Sequence, residues 1–281
     1  MQNRLTEKQT EAYIIMQAIE DECKIDATKQ IDYPPVAISF GQTIIKTLSG
    51  NKTLPIPIGT YGNFSFIQAP PKSKKTFFIS LLTSVYLGGN NKFCGDLKGH
   101  RENKNVIHID TEQGKWHCQR VFKRVLDMND YDYSNNYYTF GLRTIGYKQR
   151  IEFIEYCLEH KVKNTGLLII DGIADLVSDV NNLEESNLCT QKLMKWSQKY
   201  NCHIICVIHS NFGTDKPTGH LGSFLEKKTE TQIQLEKNTV NKDWITVKCK
   251  RSRGYSFETF SFKVNAIGLP VIIGDLYDPL K

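Results

Sequence analysis

The chain has 281 residues, a formal net charge of +6 and 40% hydrophobic residues. That length suits one large α/β domain, alone or with an appendage, and the hydrophobic content supports a buried core. The charge permits a polyanionic partner and is equally compatible with a role in solubility. The longest apolar runs are far shorter than a membrane span, and the first residues lack signal-peptide character, so we expect a cytoplasmic protein with no membrane partner.

The eight cysteines are scattered along the chain, without a C-x-x-C pair or a repeated Cys/His spacing. Zinc sites and disulfide frameworks depend on such spacings. The cysteines are therefore expected to be reduced thiols in the core, with a metal site as the less favoured alternative.

The N-terminal part of the chain differs in pattern from the rest. Apolar residues at helical spacing predict a helix over residues 6–23, with Thr6 as a candidate cap. A less regular stretch follows, and residues 54–63 have the composition of an extended connector. We expect residues 1–55 to form a small helical appendage and residues 56–281 to form the main domain.

From Phe64 onward, short apolar runs alternate with helical segments. The predicted strands lie near residues 64–68, 105–110, 137–142, 166–170 and 203–208. The predicted helices between them lie near residues 76–88, 115–126, 147–159 and 183–200. Such alternation is typical of an α/β fold, with a mostly parallel sheet sandwiched by helices. Beyond residue 229, strand-like runs at 231–235, 244–249 and 259–264 follow without helices, which predicts antiparallel strands at the C-terminus.

A lysine-rich turn joins the first predicted strand of the main domain to the first helix, in the segment FIQAPPKSKKTFFISLL. Its register against the phosphate-binding signature G-x-x-x-x-G-K-[ST] puts Lys75 in the lysine position and Thr76 in the hydroxyl position. The candidate nucleotide-binding residues are Ala69, Pro70, Pro71, Lys72, Ser73, Lys74, Lys75 and Thr76. A solvated surface turn is the alternative interpretation.

The chemistry explains why this spacing matters. Backbone N–H groups at a helix N-terminus hold phosphate oxygens, a lysine reaches the terminal phosphates, and a hydroxyl coordinates magnesium. Ala69 and Lys74 stand where the signature has glycine. A non-glycine residue in a left-handed conformation costs about 1–2 kcal/mol, so Lys74 weakens the match.

Two carboxylate-bearing segments follow predicted strands. Asp171 directly follows an apolar strand, where it could bind magnesium or cap the next helix. Asp110, Thr111 and Glu112 follow another such strand. Glu112 is the candidate to deprotonate an attacking water, with Asp110 as its rival and a helix cap as the alternative.

His209 ends a further apolar strand and is a candidate sensor of the terminal phosphate; a satisfied buried histidine is the alternative. The polar loop that follows it, residues 210–219, has a composition that suits contact with a nucleic acid backbone or an ordinary surface loop. Arg251 and Arg253 lie in the basic segment VKCKRSRG. They could act as arginine fingers on a neighbouring subunit or form a solvated basic face.

With these residues in place, the chain resembles RecA-like P-loop ATPases, and most of all the RepA-type helicases and related AAA-family ATPases of plasmids, phages and mobile elements. The resemblance covers about residues 56–270. It rests on the segments IGTYGNFSFIQAPPKSKKT, IDTEQ, LLIIDGIADL, VIHSN and GHLGS. The resemblance implies a RecA fold in which the His209 strand separates the Asp171 strand from the phosphate-loop strand. It also implies ATP and Mg²⁺ at the carboxyl ends of these strands, and a homo-oligomer such as a hexameric ring.

The leading hypothesis is thus an ATPase that acts on DNA, in single-stranded form, in replication or mobilisation. A nucleotide-dependent DNA-binding or regulatory protein with little turnover is the alternative, favoured by the substituted glycines. A small-molecule kinase is a third class, for which the sequence has no recognisable acceptor-site motif.

Overall fold

The computed structural model describes residues 7–47, 50–89, 94–211 and 214–273. The chain divides into two compact units, Met1–Tyr33 and Pro34–Lys281. The first unit contains the predicted helix, α1 (Glu7–Cys23); its candidate cap Thr6 lies outside the described residues. The boundary falls after Tyr33 rather than at residue 55, because residues 36–47 and 50–60 form strands of the second unit.

A small antiparallel sheet opens the second unit. Its strands are β1 (Val36–Thr47), β2 (Gly50–Thr60) and β4 (Leu97–Gly99), in the order β2–β1–β4. The sequence predicted only an extended connector here, because Pro55 and Pro57 interrupt the strand pattern. Both prolines lie on β2, at the edge of the sheet, where an N–H group is not needed for pairing on the open side.

A second, larger sheet forms the body of the unit. Its strands are β3 (Phe64–Ala69), β5 (Asn105–Asp110), β6 (Tyr137–Gly141), β7 (Thr165–Asp171), β8 (His203–His209), β9 (Thr231–Lys237), β10 (Ile245–Ser252), β11 (Phe260–Val264) and β12 (Pro270–Ile272). Their order is β12–β11–β10–β9–β3–β8–β7–β5–β6. The strands from β9 to β6 are mutually parallel, and β10, β11 and β12 continue the sheet in antiparallel pairs.

This topology confirms the predicted fold class, and it puts β8 between β3 and β7, as the resemblance implied. The sheet also differs from the prediction in one respect: β9, expected to belong to an antiparallel hairpin, pairs in parallel with β3 on one side. It pairs antiparallel with β10 on the other.

Helices cover both faces of the large sheet. They are α2 (Lys75–Gly88), α3 (Lys115–Asp127), α4 (Tyr147–Tyr156), α5 (Leu183–Lys199) and α6 (Gly219–Lys228). One core cluster contains side chains of α2 and α3, and the other contains side chains of α4, α5 and α6. Neighbouring residues of β7 alternate between them, with Leu167 in the first cluster and Leu168 in the second, because successive side chains of a strand point to opposite faces.

None of the helices within the described residues is long and apolar enough to cross a membrane. The eight cysteines all lie in the described part of the chain and are free thiols, and six of them are buried.

Candidate functional site

Four parallel strands bring the candidate residues together at one edge of the large sheet. In the sheet register, Asp110 at the end of β5 pairs with Asp171 at the end of β7. Ala69 at the end of β3 pairs with His209 at the end of β8. Since β8 lies beside β7, the phosphate loop, the histidine and the carboxylates occupy one row at the carboxyl ends of the strands.

The loop between β3 and α2 contains left-handed backbone positions of the kind that glycine favours. Lys72 and Lys74 have φ angles of 60° and 57°, and Lys74 is the N-cap of α2 in a left-handed conformation. The buried Ser73 hydroxyl donates a hydrogen bond of 2.6 Å to the Pro70 carbonyl and fixes the turn. The loop thus keeps a left-handed position with lysine in place of glycine, at a cost of about 1–2 kcal/mol for such a residue.

Lys75 lies at the start of α2 with its ammonium at the row of strand ends. Its Nζ is 3.0 Å from His209 Nδ1 and 3.5 Å from the Pro70 carbonyl oxygen. Because an ammonium can only donate, Nδ1 is the acceptor of this pair. Burial lowers the pKa of Lys75, and the carboxylates of Glu112 and Asp171 oppose that shift. The lysine therefore lies close to the histidine and near the carboxyl groups of Glu112 and Asp171.

Asp110 and Glu112 have different surroundings in the structure. Asp110 is buried and accepts hydrogen bonds from the backbone N–H groups of Glu112 and Gln113, at 3.0 Å and 2.7 Å, and from the Gln113 side-chain amide at 2.6 Å. These bonds occupy Asp110 as the cap of the turn. Glu112, in contrast, leaves 48% of its side chain exposed and lies 3.7 Å from His209 Nε2. The imidazole keeps the pKa of Glu112 below its ordinary value, which favours the carboxylate form that a base needs.

Asp171 is buried at the carboxyl end of β7. Its Oδ2 atom has no hydrogen-bond partner among the described residues. Burial raises the pKa of Asp171 to about 7, and the charges of Asp110 and Glu112 add to the shift. A buried carboxylate oxygen without a partner, next to the hydroxyl-bearing residue Thr76, is the donor set that a hard divalent cation such as Mg²⁺ prefers. The residues present therefore fit a magnesium ion.

These residues line a cavity of about 470 Å³ in front of the strand ends. Its lining contains the loop residues 71–76, together with Asp110, Glu112, Asp171 and His209. A cavity of this size is within the usual range for small-molecule sites. The structure thus joins residues that are far apart in the sequence, from Pro71 to His209, in one site.

The cavity also contains residues that the sequence reasoning missed, namely His117, Arg120 and Arg124 on α3. The Arg124 guanidinium donates to Ser80 Oγ at 3.1 Å and lies 3.8 Å from the centroid of the Phe77 ring, so it ties α3 to α2. Burial and the charge of Arg120 lower the pKa of Arg124 to about 10. The signal available in the sequence was the spacing of two arginines four residues apart on the helix that follows Glu112.

Arg251 and Arg253, the candidate arginine fingers, do not line this cavity. Arg251 on β10 pairs with Gln232 of β9, which pairs with Phe66 of β3, and Arg253 follows toward the amino ends of the parallel strands. Arg253 Nη2 donates to the Lys228 carbonyl at 2.7 Å, whereas Arg251 is exposed. Arg253 is therefore level with the amino end of β3 and Arg251 with its middle, so neither lies at the strand ends that carry the phosphate loop of their own chain.

The loop after His209 is bound to the sheet. Gln68 donates to the Asp215 carbonyl at 2.7 Å and to Ser210 Oγ at 3.1 Å. Lys250 on β10 also donates to the Asp215 carbonyl. The Asn211 N–H donates to the Lys216 carbonyl at 2.8 Å.

This fold, with a phosphate-binding loop at the carboxyl ends of parallel strands, defines a RecA-like P-loop ATPase. A family model described as an AAA domain matches residues 59–215, more than half of the chain, and the chain belongs to this family. Among solved structures, the chain is similar to the ATPase domain of another protein, with a TM-score of 0.57 and 16% sequence identity over 76% of this chain and 86% of that chain. At that identity the likeness is one of fold. No curated protein matches the chain.

The raised pKa of Asp171 gives a testable dependence of stability on pH. The folded state holds the proton of Asp171 up to about pH 7, whereas the ordinary value is 3.8. Asp171 therefore contributes stability fully below pH 3.8, and that contribution is lost as the pH rises to 7, by on the order of 4 kcal/mol. In urea unfolding without Mg²⁺ or nucleotide, Asp171→Asn is expected to be more stable than the wild type at about pH 8. This advantage should disappear near pH 4.

The exposed Asp127 provides the control, since Asp127→Asn removes the same charge without a buried carboxylate. Parallel stability curves for the wild type and Asp171→Asn between about pH 4 and pH 8 would contradict the assignment.

Proposed function

We propose that this protein is a Mg²⁺-dependent ATPase that acts on DNA, in a helicase-like role in replication or mobilisation. The observation that carries the proposal is the cavity, in which Lys75, Thr76, Glu112, Asp171 and His209 converge on one side of a phosphate-binding loop. Family membership supports the ATPase part of the proposal. The DNA part rests on the sequence resemblance and on the basic character of the chain.

Each residue has a role that its position supports. The N-terminus of α2 and Lys75 would bind the phosphates of ATP. Thr76 and Asp171 would hold Mg²⁺, which supplies positive charge against the phosphates. Glu112, ionised and partly exposed, would take the proton of the attacking water. His209 lies between Lys75 and Glu112, so a change at the terminal phosphate would reach the loop that follows it.

The arginines and histidine of α3 extend the same cavity beyond the phosphate loop. Arg120 and Arg124 line the cavity together with Phe77 and Val121, and α3 contributes no carboxylate to this part of the lining. We place the base and sugar of the nucleotide beside α3, because the phosphates would occupy the end of the cavity at Lys75.

A nucleotide-dependent DNA-binding or regulatory protein with weak turnover is the second candidate. It is favoured by the two lysines held at positive φ in the phosphate loop, where strain could slow the catalytic cycle. The deciding experiment is the ATPase rate of the purified protein with and without single-stranded DNA, measured alongside its mass in solution. Turnover that depends on Mg²⁺ and rises with DNA supports the first candidate; ATP binding without turnover supports the second.

The position of Arg251 and Arg253 leads to a prediction about assembly. Since neither residue lines the cavity of its own chain, any action on ATP must occur across a subunit boundary. Arg251→Ala should bind ATP normally yet hydrolyse it on the order of a thousandfold more slowly. Arg253→Ala should have the smaller effect, because Arg253 is already bonded to the Lys228 carbonyl.

Complementation provides the measurement. Mixing Arg251→Ala with Glu112→Gln should restore part of the activity, because some interfaces then combine an intact glutamate with an intact arginine. If activity does not recover under conditions of subunit exchange, or if the protein is monomeric in the presence of ATP and DNA, the arginines do not act across a subunit boundary. They would then form a solvated basic face.

A further inference from the structure

Helix α3 presents an exposed face of unusual composition. Lys115, Trp116, Gln119, Arg120 and Lys123 are all exposed and recur at helical spacing, and together we call them the basic-aromatic face. The opposite side of α3 is anchored in the protein by Cys118, Val121 and Val125, which are buried. The helix is thus fixed, and the face is directed outward.

The charge of this face is of one sign. No acidic residue occurs in the sequence between Glu112 and Asp127. Trp116 leaves 59% of its surface exposed, and the Arg120 guanidinium lies 4.9 Å from its ring centroid. This cation–π contact holds the indole in place beside a positive charge. A large exposed aromatic ring among cations is the combination that binds unstacked bases and phosphates.

A groove adjoins the basic-aromatic face. It has a volume of about 520 Å³ and lies between α3 and β6, the edge strand of the large sheet. Lys115 and Lys123 belong to its lining, and so do the apolar side chains of Phe122 and Leu126. Tyr131, whose surface is 45% exposed, also lines it. The groove therefore offers an apolar and aromatic floor between two cations, a surface on which a base could lie while its phosphates remain outside.

The loop after His209 is less suited to this contact. Within residues 210–219 the only lysine or arginine in the sequence is Lys216, and Asp215 is its neighbour. The loop is also held against the sheet by Gln68 and Lys250. The concentration of positive charge with exposed aromatic area lies on α3 instead.

We propose that the basic-aromatic face and its groove bind single-stranded nucleic acid, with Lys115 and Lys123 on the phosphates and Trp116 stacked on a base. This rests on the proposal that the protein acts on DNA, and it goes further by naming the surface and the form of the nucleic acid. A single strand is specified because the bases of a duplex are already stacked and cannot lie on Trp116. Lys115 closely follows Glu112 in the sequence, so a bound strand would adjoin the site of hydrolysis.

The test uses the full chain and a fluorescein-labelled oligothymidylate, with binding followed by anisotropy at several salt concentrations. The double variant Lys115→Ala/Lys123→Ala should bind on the order of tenfold more weakly at about 0.1 M salt. It should also lower the slope of log K against log salt by about 1.4, since two phosphate contacts are lost. The matched control is Lys161→Ala/Lys195→Ala, which removes two exposed lysines elsewhere on the surface and should leave binding unchanged.

Stacking is tested separately at Trp116. Trp116→Ala should weaken binding about fivefold or more, and Trp116→Phe should retain most of the affinity, because phenylalanine keeps an aromatic ring. Lys115, Trp116 and Lys123 do not line the nucleotide cavity, so each variant should bind ATP as the wild type does.

Several results would overturn the inference. If the α3 variants bind the oligothymidylate as tightly as the wild type does, this surface is not the binding site, although the proposed action on DNA would stand. An equal loss in the control pair would show only general electrostatic attraction. Binding of a duplex as tight as that of the single strand, insensitive to Trp116→Ala, would exclude stacking. A wild-type protein that binds no DNA in the presence or absence of ATP would overturn the proposed action on DNA as well.

Discussion

Lys75→Ala is expected to weaken ATP binding by at least about 30-fold. The Lys75 ammonium is partly buried between His209 and the carboxylates, and its removal leaves the phosphates without their fixed cation. Losing one partner of such a charge pair costs about 2–5 kcal/mol. Isothermal titration calorimetry with a slowly hydrolysed ATP analogue measures the loss directly.

Lys72→Ala is the matched control, because Lys72 lines the same cavity but its side chain is exposed. It should weaken binding only slightly, through screened electrostatics. Equal affinity of the wild type and Lys75→Ala would show that the register of the phosphate loop is wrong.

Glu112→Gln is expected to leave ATP bound and to reduce its turnover by at least about 100-fold. The amide keeps the shape of the side chain and removes the base, and a positioned general base contributes about 10²–10⁴ to the rate. Single-turnover hydrolysis, measured with ATP binding in the same sample, separates the two effects.

Asp110→Asn should behave differently. Asp110 accepts three hydrogen bonds from the turn that carries Glu112, so its replacement is expected to affect stability more than the chemical step. If Glu112→Gln hydrolyses ATP at the wild-type rate while Asp110→Asn does not, the base is Asp110.

The large sheet could be predicted because its strands are short apolar runs that end in polar residues. Buried parallel strands such as β7 have side chains of the same kind on both faces, and the sequence LLII before Asp171 makes this visible. The β1–β2 pair was missed, because two prolines on β2 interrupt the pattern. Only the pairing with β1 makes that segment a strand.

Candidate site residues could be predicted where they begin or end a helix or strand that the sequence reveals. They could not be predicted where their place in the site depends on packing between elements. Lys75 begins a recognisable helix and Asp171 ends a recognisable strand. The spacing of Arg120 and Arg124 puts them on one face of α3, but the contact of Arg124 with Phe77 and Ser80 on α2 depends on packing and could not be predicted from it. The distinction between Asp110 and Glu112 likewise required the hydrogen bonds of the turn.

The left-handed Lys74 has a consequence that extends beyond its strain. Its Nζ donates a hydrogen bond of 3.0 Å to the carbonyl of Asp243, in the turn between β9 and β10. A glycine at this position would lack the side chain that makes this connection. Arriving phosphates would compete with that carbonyl for the ammonium, so occupancy of the loop would loosen a tether to the antiparallel strands. The substitution that departs from the phosphate-binding signature thus ties the loop to the turn that leads into β10, the strand that carries Lys250 and Arg251.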